Sequence, residues 1–469
     1  MSAAALSSIV KSYDVRGLVD SELTPEIVQA LGAAFVDVIV GPGNELVLGH
    51  DMRESSPVLA GAFIEGAQSA GASVISIGLC STDMVYFASG TKDVPSVMFT
   101  ASHNPATYNG LKFSRRKAQG VSMKTGLAEI RDRARQYLSG EASYGSLSGD
   151  VIHEDLLADY AAYLRSLVAL GSIRPLGVVV DAANGMAGHT VPAVLEGAAG
   201  LEALPLEVIP LYFELDGSFP NHEANPLEPA NLVDLQRAVL EHGADIGLAF
   251  DGDADRCFVV DNLGNPVTPS AVAAMVAKRE IIRVKEAGES GAITVIHNLI
   301  CSNTVADVIT ENGGTPLRSQ VGHSFIKDTM RDSGAVFGGE HSAHYYFRDF
   351  WGADNGMLAA LHVLSELGHS DRPLSELVSE YSRYAESGEI NSVVSDQGAT
   401  QAAVLDEFSQ RGEVDRLDGL TIRGTTDNQF WWFNVRASNT EPLLRLNVEA
   451  ETTPLMEQIR DEVLAIIRT

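Results

Sequence analysis

A chain of 469 residues is too long for one hydrophobic core, and at about 150 residues per domain it implies roughly three. Apolar residues make up 45 % and charged residues 20 %, an ordinary globular composition that excludes a disordered chain. The formal net charge of −29 repels nucleic acid and anionic membranes, so neither is expected as a partner, and an anionic substrate would need arginines and lysines gathered locally.

Three cysteines, Cys80, Cys257 and Cys301, are widely spaced with no C-x-x-C pair, which excludes a disulfide framework and a thiolate metal site. The opening MSAAALSSIVK has no basic stretch ahead of an apolar core, and no apolar run reaches the length of a membrane span. A reduced cytoplasm is the expected compartment.

In chain order, three segments repeat an apolar strand, a polar turn and a helical stretch: ELVLGHDMRESSPVLAGAFIEGA from Glu45, LGVVVDAANGMAGHTVPAVLE from Leu176 and GAITVIHNLICSNTVADVITENGG from Gly291. β-Branched runs alternating with amphipathic stretches predict βαβ units and mostly parallel sheets. The Gly/Ser-rich segment 138–150 and the turn-forming segment 261–270 separate these units, and a helical stretch ending near Glu386 closes the third. The last hundred residues differ. GLTIRG, FWWFNVRASN and LLRLNVEAE predict antiparallel strands, and Thr453 and Pro454 predict the N-cap and first position of a closing helix. The reading is three similar α/β domains with mixed, mostly parallel sheets, at 1–150, 151–260 and 261–386, and a smaller α+β domain at 387–469.

Four polar clusters interrupt this pattern. In VMFTASHNPATYNGLKFS, Val97, Met98 and Phe99 predict a buried strand, with Ser102, His103 and Asn104 at its exit and Lys112 beyond. Taken alone this is a loop; it is not a G-x-S-x-G elbow, and adjacent Ser and His do not make a hydrolase pair. AFDGDADRCFVVD places Asp251, Asp253 and Asp255 at alternate positions between two apolar strands. Like charges so close are costly without a cation, and hard oxygen ligands suit Mg²⁺ or Ca²⁺. An EF-hand fails, because Arg256 and Asn262 stand where its loop needs glycine and glutamate. Mg²⁺ is the reading adopted, and because Mg²⁺ readily takes a phosphate oxygen it implies a phosphorylated ligand. GGEHSAHYYF places Glu340, Ser342 and His344 at alternate positions; extended, they would face one way and suit vicinal sugar hydroxyls, though a plain polar loop reads the same. VRASNTEPLLR offers Arg436, Ser438, Asn439 and Thr440 in a turn that could grip a phosphate or simply cap a strand.

The set TASHNP, DGDADR, GGEHSAH and RASNTEP in this order, with KSYDVRG near the N-terminus, closely resembles the α-D-phosphohexomutases, the phosphoglucomutase/phosphomannomutase superfamily, across essentially the whole chain. The resemblance implies four domains around a central cleft, with Ser102 carrying a phosphoryl group and, with Asp251, Asp253 and Asp255, holding Mg²⁺. It places Arg16 and Arg256 beside the transferring phosphate and Lys112 and His344 as general acid–base candidates. Glu340, Ser342 and His344 would bind the sugar. Arg436, Ser438, Asn439 and Thr440 would hold the other phosphate, with His323 and Lys327 of VGHSFIK contributing to ligand binding. The implied activity interconverts hexose 6-phosphate and hexose 1-phosphate, of mannose and also glucose, through a bisphosphorylated intermediate, with glucose or mannose 1,6-bisphosphate as activator. The implied partners are sugar phosphates, and the state is monomer or homodimer. His341 and Ala343 in the sugar loop fit this group better than phosphoglucosamine mutases, which are the alternative; a Mg²⁺-dependent sugar-phosphate hydrolase and a non-catalytic paralogue are the others. Two departures stand out: many members carry D-V-K where this chain reads VIHNLICSN, and Thr82-Asp83 replaces a Thr-Pro pair.

Overall fold

The computed structural model describes residues 2–437 and 443–469; of residues 2–5, 323 and 324 only the backbone is described. Each of the four units is built on its own sheet. In the first, the strands run Val15–Leu18, Tyr108–Arg115, Ser96–Phe99, Glu45–His50, Ser73–Leu79 and Val151–His153, with Gln119–Gly120 paired beside Tyr108–Arg115. Its centre is parallel and the Val15–Leu18 edge antiparallel. The sequence boundary after residue 150 is corrected here: Val151–His153 pair in parallel with Ser73–Leu79 and so belong to the first sheet.

The second unit has five strands, Pro266–Val267, Cys257–Asp261, Ile246–Phe250, Leu176–Asp181 and Leu206–Leu211. Val178, Val179 and Val180 are all buried, because helices cover both faces and leave no need for alternation. The third unit repeats a five-stranded sheet in the order Thr315–Ser319, Thr294–Asn298, Phe337–Gly339, Tyr345–Phe347 and Ala353–Asp354. The C-terminal sheet is antiparallel throughout its described pairings. Ala385 and Glu386, read from sequence as the end of a helical stretch, form an edge strand of this sheet against Leu443–Ala450. The closing helix is Thr453–Ile467 with Thr452 as N-cap, one residue before the expected Thr453.

Helix starts follow elementary capping. Thr24, Thr268 and Asn355 each accept a backbone N–H with the side-chain oxygen, opening the helices Pro25–Phe35, Pro269–Glu286 and Gly356–Gly368. Buried apolar side chains form one continuous core through the second and third units, reaching the back of the first. The first unit keeps a core of its own and so does the C-terminal unit. The polar strand ends of the first three units therefore meet on one side of a shared apolar mass. Among the described residues, no helix is long and apolar enough to cross a membrane.

Candidate active site

Ser102 leaves the strand Ser96–Phe99 in a left-handed turn, φ 49°, uncommon for a residue with a side chain. Two groups fix that turn. Thr100 Oγ1 accepts from the Ser102 N–H at 2.8 Å. Arg53, buried, donates to the carbonyls of Ser102, Asn104, Pro105 and Tyr108 at 2.7 to 3.0 Å, and its charge is matched by Asp51. The loop is thus held from behind by one guanidinium, which the sequence reading missed; its signal was an arginine two residues after the His50-Asp51 strand end.

The hydroxyl so presented donates to Asp251 Oδ2 at 2.8 Å. Asp251, Asp253 and Asp255 occupy the tight turn between Ile246–Phe250 and Cys257–Asp261, with Ala254 left-handed at φ 61°. All three carboxylates are essentially buried and bring oxygens within 4.8 Å of one another. Arg256 folds back to donate from Nε to Asp251 at 2.9 Å, and its Nη2 reaches Ser102 Oγ at 3.4 Å. Lys112, from the strand paired with Ser96–Phe99, donates to Asp253 at 2.7 Å and Asp255 at 2.6 Å. Thr82 Oγ1 donates to Asp253 Oδ2 at 2.6 Å and its N–H to the Asp253 carbonyl, so half of the Thr82-Asp83 departure is a positioning contact.

Two oxygens stay without a hydrogen-bond partner among the described residues: Asp253 Oδ1 and Asp255 Oδ1, both buried. Orphaned carboxylate oxygens at zero access to water are costly unless something cationic meets them. An all-oxygen donor set with unmatched lone pairs fits a hard divalent cation.

The electrostatics follow from this crowding. Burial, then the Asp255 and Asp253 charges, pushes Asp251 up against the pull of Arg256. Burial would raise Asp255 too, but Lys112 outweighs it and leaves Asp255 at about 2. Lys112 in turn is held well above its usual range, because Asp253 and Asp255 overcome its burial. In this arrangement its ammonium is a charged clamp. Burial, reinforced by Arg256 and Arg16, pushes His103 down to about 3, so its ring is neutral; Nδ1 accepts from Arg256 at 2.6 Å and lies 3.2 Å from Ser102 Oγ.

A cavity of about 90 Å³ collects these side chains: Arg16, Ser102, Lys112, Asp255, Arg256 and His344 all line it. Arg16 is steered by Asp14 at 2.6 Å and Asn104 at 2.5 Å. His344 belongs to the third unit, and a backbone bridge between Arg256 and His344 brings that unit to the metal-type loop. Its Nε2 lies 3.7 Å from Asp255.

The loop Glu340–His344 is not extended as expected. It turns tightly, with Ala343 left-handed at φ 63°, the Glu340 N–H donating to the His344 carbonyl and the Ala343 N–H to the Glu340 carbonyl. The turn still brings the three side chains together, with His344 Nδ1 3.8 Å from Glu340 Oε2. Ser342 Oγ pairs with His344 Nδ1 at 3.0 Å, while buried Glu340 accepts from Tyr346 and from the Gly322 N–H. Asn298, within the VIHNLICSN segment that departs from the D-V-K pattern, is buried 3.4 Å from Glu340.

Lys327 reaches Asp354 at 2.6 Å and lies over the Tyr86 ring at 4.1 Å; Tyr86 and Asp354, neither foreseen, line the same cavity. Arg436 stands on the C-terminal sheet near Glu389 and Asp418, and does not line the cavity. Ser438, Asn439, Thr440 and the His323 side chain lie outside the described residues.

Comparison with known proteins agrees with this architecture. Family profiles described as phosphoglucomutase/phosphomannomutase match in four parts: alpha/beta/alpha domain I over residues 7–139, domain II over 158–264, domain III over 268–384 and the C-terminal domain over 389–466. A protein named phosphohexose mutases from Xanthomonas campestris pv. campestris is 38 % identical, covering 98 % of each chain. The phosphomannomutase/phosphoglucomutase of Pseudomonas aeruginosa is 34 % identical over 97 % of this chain and 94 % of its own. A crystal structure of a phosphoglucomutase/phosphomannomutase family protein from Burkholderia thailandensis superposes with TM-score 0.84 at 29 % identity, covering 98 % of this chain and 97 % of that one.

Proposed function

This chain belongs to the phosphoglucomutase/phosphomannomutase family, is a phosphohexomutase, and on that premise we propose that it interconverts the 6- and 1-phosphates of mannose, and also of glucose, through a phosphoryl group carried on Ser102. The observation that carries the reading is the placement of the Ser102 hydroxyl 2.8 Å from Asp251, inside a trio of buried carboxylates with two unmatched oxygens.

In the proposed cycle the Ser102 phosphoryl group passes to the free hydroxyl of a hexose monophosphate. The bisphosphorylated sugar turns over in the cleft, and Ser102 Oγ takes back the other phosphoryl group. Arg256 and Arg16 donate to the oxygens where charge develops. His344 and Lys112 handle the hydroxyl protons, which for Lys112 requires that a cation relieve the carboxylates now holding its proton. Asp251, Asp253 and Asp255 would hold Mg²⁺, which when bound supplies charge neutralisation to the transferring group. Ser342, Glu340 and Lys327 bind the sugar phosphate, and Arg436 takes the phosphate that is not being transferred, together with Ser438, Asn439, Thr440 and His323. Glucose or mannose 1,6-bisphosphate primes the serine. The three free, buried cysteines suit a reducing cytoplasm.

The test is kcat/KM on mannose, glucose and glucosamine 1-phosphates with a trace of bisphosphate. Mannose and glucose should lead. Preference for glucosamine 1-phosphate would reassign the sugar, and net release of inorganic phosphate in place of hexose 6-phosphate would overturn the mutase mechanism in favour of a hydrolase.

A further inference from the structure

Where the edge strand Thr315–Ser319 of the third unit faces the C-terminal sheet, a solvent-open cavity of about 760 Å³ is lined by Arg318, Glu413, Val414, Asp415, Arg416 and Arg423. Three guanidiniums meet here in a chain whose net charge is −29. Arg318 is matched directly by Asp415. Among the described residues, no carboxylate oxygen comes within 4.0 Å of Arg416 or Arg423.

Arg423 is the informative member. Its Nη1 reaches the Asn303 amide oxygen at a long 3.3 Å, and its guanidinium lies 5.9 Å from the Trp432 ring. Its Nε is buried with no hydrogen-bond partner among the described residues. Glu413 stands opposite it in strand register but brings no oxygen within ion-pair distance. His297, opposite Arg318 in register, adds no counter-charge and is no rival for an anion: burial, with Arg423 and Arg318 adding, holds it down to about 4 and so neutral. Burial first, and then the Arg318 charge, pushes Arg423 itself down to about 10 against the opposing pull of Glu449 and Glu413. A guanidinium presents its donors in a planar fork that matches two oxygens of a tetrahedral oxyanion.

We propose that Arg318, Arg416 and Arg423 form a second anion site, separate from the Ser102 cavity, that takes a phosphoryl dianion and ties the C-terminal sheet to the edge strand of the third unit. The preference for phosphoryl over carboxylate rests on the proposed function, which keeps phosphorylated sugars at hand. The occupant is either free phosphate or the phosphoryl group of a sugar.

Isothermal titration of the full chain with inorganic phosphate tests the site, beside Arg423→Met and Glu413→Gln. Arg423→Met should lose phosphate affinity at this site by about tenfold or more, since charge-assisted hydrogen bonds are removed. Glu413→Gln, at an exposed position, should tighten it by removing a competing carboxylate from the lining. Titration with glucose 1,6-bisphosphate then separates the sources. Two equivalents per chain, falling to one in Arg423→Met, assign the site to phosphorylated sugar; one equivalent in both, with the phosphate difference intact, assigns it to free phosphate. Unchanged phosphate binding in folded Arg423→Met, or no tightening in Glu413→Gln, overturns the proposal. Mutase turnover is assayed apart, so its absence would sink the functional reading and leave the phosphate titrations to judge this one.

Discussion

The Ser102 hydroxyl donates to Asp251 Oδ2 at 2.8 Å across 149 residues of chain, joining the serine loop of the first unit to the carboxylate turn of the second. Neither loop alone presents more than ordinary turn chemistry. Joined, they place a hydroxyl oxygen against three buried carboxylates and an arginine.

Ser102→Ala removes that oxygen and leaves Asp251 with its bonds from Arg256. Stability should fall by no more than about 3 kcal/mol, the upper end for one hydrogen bond to a charged group. Turnover should fall by roughly a thousandfold or more, since the phosphoryl carrier is gone. Intact-mass analysis after incubation with glucose 1,6-bisphosphate should show one added phosphoryl group on the native chain and none on the variant. A variant that keeps turnover sinks the Ser102 assignment.

Lys112→Met leaves Asp253 and Asp255 facing each other without their shared ammonium, whose side chain is only 15 % exposed. Removing one partner of a buried pair destabilises by about 3 kcal/mol. Mg²⁺ should restore more stability to this variant than to the native chain, because the cation then supplies the missing charge. Thermal melts with EDTA and with Mg²⁺ measure it; an equal Mg²⁺ increment in both proteins contradicts the account. Chelation alone should abolish native turnover, and Mg²⁺ should return it.

The other half of the Thr82-Asp83 departure sets a pH dependence. Asp83 is buried, takes hydrogen bonds from Ser81 and from Tyr160 of the second unit, and is pushed up to about 7, chiefly by burial. The folded chain holds this proton more tightly than the unfolded chain, which releases it near 3.8. Stability from this group is therefore full at the low end and is lost as pH rises from about 4 through about 7, then flat above. Asp83→Asn cannot ionise, so it should gain on the native chain with rising pH across that window and hold its advantage at pH 8. Melting temperatures of both from pH 5 to pH 8 decide it; parallel curves refute the assignment.

The sheets and their parallel centres were legible because buried β-branched runs such as Val178–Val180 and the strand-end clusters have few other readings. The candidates Ser102, Arg256 and the three aspartates stood out for a related reason, each sitting at a strand end in a short polar cluster, whereas Lys112 lies within the strand Tyr108–Arg115 and stood out only through the N-G-x-K pattern. Arg53 and Thr82 were not, because an arginine two residues past a strand end does not reveal which carbonyls it will bind; its four partners are fixed only when residues 102–108 fold over it. Residues 340–344 were read as extended where they turn, since a left-handed alanine at position 343 is set by tertiary contacts and not by alanine's own preference. The edge strand Ala385–Glu386 was missed for its brevity: its partner Leu443–Ala450 lies far along the chain.

Gly252 tests how closely the two loops must approach. A Cβ there would meet the Ser102 carbonyl oxygen at 2.5 Å and Ala224 Cβ at 3.5 Å, so Gly252→Ala has to push the serine loop off the carboxylate turn. No left-handed φ is involved at this position, which leaves the contact itself as the cause. The serine loop is held from behind by Arg53 and cannot retreat freely, so the strain falls on the Ser102–Asp251 distance. A misplacement of about 1 Å costs roughly a hundredfold in rate, and kcat should drop on that scale. The three carboxylates stay in place, so the Mg²⁺-dependent rise in melting temperature should persist. Loss of the Mg²⁺ response together with kcat would show instead that the substitution dismantles the aspartate turn, and unaltered kcat would show that the approach of Gly252 to Ser102 is not required.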